Sequence, residues 1–172
     1  SLLISGNLDL ILTKPYHPFV KILFGGVDFL DLIMLLPFFL VLNIILVLQF
    51  TNFFSFLGFW VFIFNSFLIL TSFHILVLAM AIFTTDVDHT IFIYRDIMRL
   101  GQFPIDIYQK PISFILTFIL PIGVITTFPV KIFYQLLTWQ NIVFSFLVSS
   151  LFLIFSLKIW GVAIRKYQSA SS

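Results

Sequence analysis

Two aspartates and a histidine follow a long apolar stretch, at Asp86, Asp88 and His89. Carboxylate oxygens and imidazole nitrogens bind several metals, so this group could hold a cation. The spacing brings no second cluster of histidines or carboxylates to it, and aspartates at the end of an apolar span are also typical of a hydrated border. A match this short is a weak indication, and we therefore predict no metal site.

Three polar side chains lie inside the apolar stretches, namely Asn43, Asn65 and His74. An ionisable group at such a position is a candidate for function. A neutral histidine bonded to the carbonyl of a neighbouring helix is the simpler interpretation, because polar side chains commonly join helices in this way. We favour that interpretation for His74 and predict that the two asparagines also hold helices together.

Catalytic patterns are missing from the sequence: it has no nucleophile–base pair, no glycine-rich phosphate loop and no HExxH pattern. We therefore predict neither catalytic nor cofactor-binding residues, and we expect this chain not to hydrolyse ATP. With no cysteine it has no disulfide or thiolate metal site. Its net charge of +2 is too small to indicate a nucleic-acid partner.

The composition indicates a membrane protein. Of 172 residues, 61% are hydrophobic and 9% are charged, whereas soluble domains average about 25% charged residues. Between Asp31 and Asp86 there is no formal charge, which leaves room for two spans of about 20 residues each. We place the turn between these two spans at 51–58, where Asn, Ser and Gly cluster.

The fold class predicted from these runs is all-α, with four membrane crossings in a single membrane domain. The predicted spans are 32–50, 59–85, 111–130 and 141–164, and both chain ends then lie on one side. Most Lys and Arg fall at 1–31, 86–110 and 165–172, and the positive-inside rule makes these segments cytoplasmic. All seven aspartates fall on that side too, and Lys131 is the basic residue expected outside.

Two of the cytoplasmic segments have a pattern of their own. In 86–110, Ile91, Tyr94, Ile97 and Met98 recur at helical spacing, which predicts a short amphipathic helix lying on the inner leaflet. In 1–31, a proline-fixed turn precedes a short amphipathic stretch at 19–24. This connector is either an interfacial anchor or a surface that contacts a cytoplasmic partner.

Three prolines interrupt the third predicted span. Pro111 suits the start of a helix, where its missing N–H costs little. Pro129 lies near the outer end, where a helix can stop. Pro121 falls in the middle and predicts a kinked or partly re-entrant path.

Taken in order, several short motifs resemble permease subunits of ABC-2 type exporters, especially the bacterial branch that exports drugs and viologens. One matching group lies near the start of the chain, at Gly6, Leu8, Asp9, Lys14, Pro15 and Pro18. Another lies in the second half, at Pro104, Ile107, Tyr108, Leu116, Thr117, Phe118, Pro121 and Pro129. Such permeases usually have six spans, so the resemblance implies that the first two precede Ser1.

The resemblance implies a subunit of the bacterial plasma membrane that pairs with a second permease and docks a separate ATPase, which binds the ATP. The segment 8–24 matches the position of a coupling element. Candidate contacts to the ATPase are Asp9, Lys14, Pro15, Pro18, Lys21, Arg95 and Arg99. The alternative is a stand-alone four-span protein, either a secondary carrier or a membrane enzyme.

Overall fold

The structure is a computed structural model that describes residues 29–50, 52–84 and 87–166. These residues form seven α-helices, and none of the residues described is in a β-strand. The all-α fold class predicted from the sequence is confirmed. The chain divides into two compact units, 1–50 with 168–172 and 51–167, each with its own internal contacts.

The first unit contains helix α1, Phe29–Leu48, which includes Pro37. Its apolar part is Leu32–Leu48. The side-chain amide of Asn43 donates to the carbonyl of Phe39, one turn earlier, at 2.8 Å. The bond that the structure describes for Asn43 therefore lies within α1, whereas we predicted a bond between helices.

The second unit begins with α2, Phe53–Thr84. Asn52 caps this helix, because its Oδ1 accepts from the backbone N–H of Ser55 at 2.7 Å. The cap starts the helix at Phe53, so the turn that we placed at 51–58 is shorter than predicted. Gly58 belongs to α2 and lets another segment approach, since an added Cβ would lie 3.0 Å from Ile132 Cγ1.

Helix α7, Trp139–Lys166, runs parallel to α2. The register is set by Asn65 beside Ser149, by Phe73 on Phe152 at 4.9 Å between ring centroids, and by Lys166 over Phe83. Within the described part of the chain, α2 and α7 are the two helices long and apolar enough to cross a membrane. Two neighbouring parallel helices require the chain to return between them.

The return path is α3, Val87–Arg99, and the 3₁₀ turn Leu100–Gln102. Tyr94 of α3 lies against His74, well inside α2, with ring centroids 5.0 Å apart. Residue 101 lies further along, where a Cβ would be 2.8 Å from Ile122 Cγ2. The short helix predicted within 86–110 is present as α3, but it runs back along α2 and does not lie flat beyond the end of that helix as predicted. Its residues Tyr94, Ile97 and Met98 pack against the buried clusters of this unit.

The segment after α3 is a sequence of short pieces. A 3₁₀ turn at Ile105–Ile107 leads to α4, Lys110–Phe114, which continues as a π-helical turn at Ile115–Ile119. The chain then reverses into α5, Ile122–Thr126, and α6, Phe128–Phe133. We call residues 110–133 the broken hairpin.

The second half of the broken hairpin runs antiparallel to α2. Ser66 Oγ lies 3.0 Å from the carbonyl of Ile125, Phe59 lies on Phe133 at 6.1 Å between centroids, and Gln135 Nε2 donates to Ser55 Oγ at 3.2 Å. The reversal therefore lies near the middle of α2, and residues 133–135 lie at its N-terminal end.

An ion pair shows that the broken hairpin does not cross from one side to the other. Lys131 Nζ lies 2.6 Å from Asp106 Oδ1, so the residues just before and at the end of the predicted 111–130 span meet. A single crossing would separate them by roughly 30 Å of hydrocarbon. The predicted crossing by 111–130 is therefore wrong, and so is the placement of Asp106 and Lys131 on opposite sides. The segment enters and returns.

The prolines of this segment also differ in part from expectation. Pro111 lies in the first turn of α4, as predicted. Pro121 precedes α5 and ends the preceding turn, in which the N–H of Leu120 donates to the carbonyl of Ile115 at 2.9 Å. It therefore marks a reversal between helices, which agrees with the re-entrant alternative predicted for Pro121 and not with a kink within one helix. Pro129 lies in the first turn of α6, so it starts a helix and does not stop one.

Candidate functional site

The tip of the broken hairpin is buried in the unit formed by residues 51–167. Pro121 and Ile122 are both fully buried. Ile122 packs with Leu116, from the other half of the hairpin, and with Ile105, which precedes it. Val124, two residues further on, packs against Phe62 and Ile69 of α2, and these contacts place the tip near the middle of α2.

Residues 105 and 123 make the closest approach in this region. An added Cβ on Gly123 would overlap Ile105 Cδ1 and would lie 3.2 Å from Thr117 Oγ1. The backbone N–H of Ile105 donates to Thr127 Oγ1 at 3.1 Å, and Thr117 Oγ1 donates to the carbonyl of Ser113 at 2.7 Å. The Thr127 hydroxyl thus accepts from a backbone N–H outside its own helix, whereas the Thr117 hydroxyl bonds one turn back within its own helical segment.

A cavity of about 320 Å³ opens beside the Asp106–Lys131 pair. It lies between the turn that follows α3 and the second half of the broken hairpin. Its polar lining comes from Gln102, Asp106, Thr126, Thr127 and Lys131. The Lys131 side chain is 25% exposed and that of Asp106 is 62% exposed, so the pair lies at the cavity rim.

Asn65 joins α2 to α7. It is fully buried, its Oδ1 accepts from Ser149 Oγ at 2.5 Å, and its side-chain amide lies 3.5 Å from the carbonyl of Ser145. Both serines are also buried. Small residues let the two helices approach, and the amide then fixes their register.

His74 bonds within its own helix. Its Nδ1 lies 2.8 Å from the carbonyl of Leu70, and the hydroxyl of Tyr94 lies 3.4 Å from its Nε2. We expected a carbonyl from a neighbouring helix, but the neighbouring helix α3 supplies a tyrosine instead. The His74 ring thereby contacts α3 about halfway along the length of α3.

The charged residues of α3 lie on the face turned away from α2. Tyr94, Ile97 and Met98 pack against the buried clusters. Asp96 and Arg99 form an ion pair at 3.2 Å, with side chains 71% and 68% exposed. Arg95 is exposed as well.

The motif residues of the second half converge on the broken hairpin and the turn before it. Tyr108 closes that turn, since its hydroxyl donates to the carbonyl of Leu100 at 2.8 Å. Phe118 stacks on Phe114 and contacts Phe144 of α7 at 4.7 Å between centroids. Pro104 lies between the two 3₁₀ turns, and Ile107 is 68% exposed.

Several candidate residues lie outside the described residues. They are the coupling candidates Asp9, Lys14, Pro15, Pro18 and Lys21, together with Asp86 and the side chains of Asp88 and His89. Within the described part of the chain, no group of three or more His, Cys, Asp or Glu side chains is close enough to hold a metal ion.

Comparison with protein families supplies the identification. The model for the "ABC-2 family transporter protein" matches residues 2–171. The chain belongs to the ABC-2 transporter family. No curated protein and no solved structure matches it.

The protein is thus a membrane permease of an ABC transporter, as the resemblance predicted. The linear motif of the second half lies in and just before the broken hairpin, and it does not include Asp106 and Lys131, which pair across the hairpin. The signal that was available is the small and polar run at 123–127 inside an apolar stretch. Such residues are unusual beside lipid unless the backbone is broken and needs partners.

Proposed function

We propose that this permease forms the translocation path of an ABC exporter in the bacterial plasma membrane. A separate ATPase subunit binds and hydrolyses ATP, and two permeases pair around the path. The observation that carries the proposal is the family match over residues 2–171. The broken hairpin supports it, because irregular backbone at membrane depth is stable only inside protein or beside an aqueous cavity.

The orientation that we propose keeps both chain ends in the cytoplasm. Arg165 and Lys166 end α7 beside the C-terminal end of α2, and the sequence before α1 adds Lys14 and Lys21. Lys110 and Lys131, at the two ends of the broken hairpin, lie toward the opposite end of α2, and the excess of basic residues at the first side satisfies the positive-inside rule. The broken hairpin then enters the membrane from outside and turns at mid-depth.

The coupling element that we propose is the segment 8–24, with Asp9, Lys14, Pro15, Pro18 and Lys21 as ATPase contacts. This assignment rests on the resemblance alone. We do not propose Arg95 and Arg99 as such contacts, since both follow His74's partner Tyr94 along α3 and lie beside the middle part of α2. ATP-driven closure of the ATPases would move this element and shift the permease between inward- and outward-open states.

The experiment is co-expression of the permease with the ABC ATPase subunits of the same organism, followed by purification and reconstitution in liposomes. We expect the two chains to co-purify and the permease to raise the ATPase rate. Changing Lys14 and Pro15 to alanine should return the rate to that of the ATPase alone. Lys110→Ala, on the opposite side, is the control and should leave stimulation unchanged. A chain that neither binds nor stimulates the ATPase refutes the proposal.

A further inference from the structure

The position of α3 gives its charged face an unusual environment. Tyr94 contacts His74, which lies ten residues before the end of α2 at Thr84, or about 15 Å along the helix axis. Arg99 lies five residues further along α3, roughly 7 Å deeper. Helix α2 has 32 residues and is therefore about 48 Å long, so Arg99 lies close to the middle of α2 and, where α2 crosses the membrane, close to the middle of the hydrocarbon core.

Lipid cannot be the neighbour of this face. Charged side chains at the centre of a bilayer are costly, and they face a bundle interior or a water-filled cavity almost without exception. Arg99 is too deep for its side chain to reach either headgroup region. The ion pair with Asp96 neutralises one charge of each sign, and Arg95 leaves this face with a formal excess of one positive charge.

The same open side also presents apolar surface. Phe92 and Ile93 are 61% and 62% exposed, and they flank the charged residues on α3. A face with two guanidinium groups beside exposed apolar side chains is complementary to a molecule that has an anionic group and an apolar body. Guanidinium groups favour carboxylates, sulfonates and phosphates, which they can bind through two hydrogen bonds.

We propose that the α3 face formed by Phe92, Arg95, Asp96 and Arg99 lines the aqueous translocation path and binds the anionic group of an amphipathic cargo. Arg95 and Arg99 bind the anion, Asp96 orients Arg99, and Phe92 contacts the apolar part. This inference rests on the proposed transport function and adds the chemical class of the substrate.

The binding test uses the permease–ATPase complex in nanodiscs and two fluorescent probes. The probes share a dansyl group and an alkyl chain, and one ends in a sulfonate while the other ends in a trimethylammonium group. We expect the double variant Arg95→Gln with Arg99→Gln to bind the sulfonate probe about tenfold more weakly or worse, because it loses the hydrogen bonds that charged guanidinium groups donate to the sulfonate. Binding of the trimethylammonium probe should not weaken.

Two further variants make this result specific. The double lysine variant, Arg95→Lys with Arg99→Lys, keeps the charge and should retain most of the sulfonate affinity. Arg165→Gln removes one exposed arginine at the end of α7 and should not change it. Unchanged sulfonate binding in the double glutamine variant overturns the inference, and so does an equal loss for both probes.

A labelling experiment tests whether water reaches the face. The chain has no cysteine, so a single introduced thiol is unique within it. A charged, membrane-impermeant thiol reagent should modify Arg99→Cys but not Ile69→Cys, which replaces a fully buried residue of α2. An Arg99→Cys thiol that stays unmodified, or that forms a disulfide with a second permease copy, overturns the inference in favour of a protein-covered face.

These outcomes separate the two proposals. If the wild-type permease fails to co-purify with the ATPase or to stimulate it, the transport function itself is refuted. If it stimulates the ATPase but binds both probes equally, only the anionic substrate class is refuted.

Discussion

Gly123 allows the two halves of the broken hairpin and the turn before it to meet, and its replacement tests that packing directly. A methyl group at residue 123 would overlap Ile105 Cδ1 and would approach Thr117 Oγ1 to 3.2 Å. Ile105 is only 7% exposed, so its side chain has little room to move. Overpacking of this kind typically costs about 1–3 kcal/mol.

Gly161 provides a matched control for Gly123→Ala. It lies within α7, and an added Cβ there would meet no atom within 4 Å. Replacing a helical glycine by alanine favours the helix by up to about 1 kcal/mol, and this gain applies to both positions. The difference between Gly123→Ala and Gly161→Ala therefore reports the steric cost, about 1–3 kcal/mol.

Thermal unfolding of the purified permease in one detergent, at one scan rate, measures this difference. For a chain of this size it corresponds to a Tm lower by roughly 2–12 °C in Gly123→Ala than in Gly161→Ala. Shortening the neighbour should restore part of the loss, because Ile105→Val removes the Cδ1 atom that the new methyl group overlaps. We expect the double variant to be more stable than the sum of the single changes by about 1 kcal/mol.

Two results would refute this reasoning about the broken hairpin. One is a Gly123→Ala variant whose Tm equals that of Gly161→Ala. The other is strict additivity of Gly123→Ala and Ile105→Val, which would mean that residues 105 and 123 are not in contact. Either result would leave the burial of the hairpin tip without its central packing contact.

Two further predictions concern the ends of the hairpin and the contact between the long helices. Cysteines at Asp106 and Lys131 should be joined by a short bifunctional thiol reagent, whereas cysteines at Asp106 and Lys166 should not; a segment that crossed the bilayer would prevent the first crosslink. Ser149→Ala removes the donor to Asn65 Oδ1. We expect this change to lower the free energy of unfolding by about 0.6 kcal/mol, and by about 1.7 kcal/mol at most. A Tm equal to wild type would show that another group satisfies the asparagine.

The two long helices were predictable because the absence of charge over many residues is a strong signal. Helices α2 and α7 contain most of the residues of the predicted spans 59–85 and 141–164. The start of α2 was not predictable from that signal. It depends on the Asn52 cap, which a cluster of Asn, Ser and Gly suggests only as a turn.

The path between the long helices was harder to predict, because hydropathy does not distinguish a crossing segment from one that enters and returns. The residues of 111–130 are apolar, yet they form a hairpin whose ends meet. Apolar and charged residues of α3 recur at helical spacing on different faces, and this pattern predicts a surface helix when no neighbouring helix is known. In the structure one face of α3 packs against α2, and the charged residues lie on the opposite, exposed face.

The motif residues show a similar division. Tyr108, Thr117, Phe118 and Pro121 belong to one linear pattern, and all four lie in the broken hairpin or in the turn before it. The contacts that hold the segment are with residues outside the pattern, such as Ile105 with Gly123 and Asp106 with Lys131. A linear pattern contains no information about which residues approach after the chain reverses, so these partners require the three-dimensional structure.

The parallel arrangement of α2 and α7 has a consequence for the charges of α3. Parallel neighbours require one return across the same thickness, and the broken hairpin cannot supply it because its ends meet at the N-terminal end of α2. Residues 87–106 must therefore make the return, although they include Arg95, Asp96 and Arg99. A chain that needed only a lipid-facing return would gain stability by replacing these residues with apolar ones. Their presence at mid-depth favours a water-lined face, which is the environment that a transport path provides.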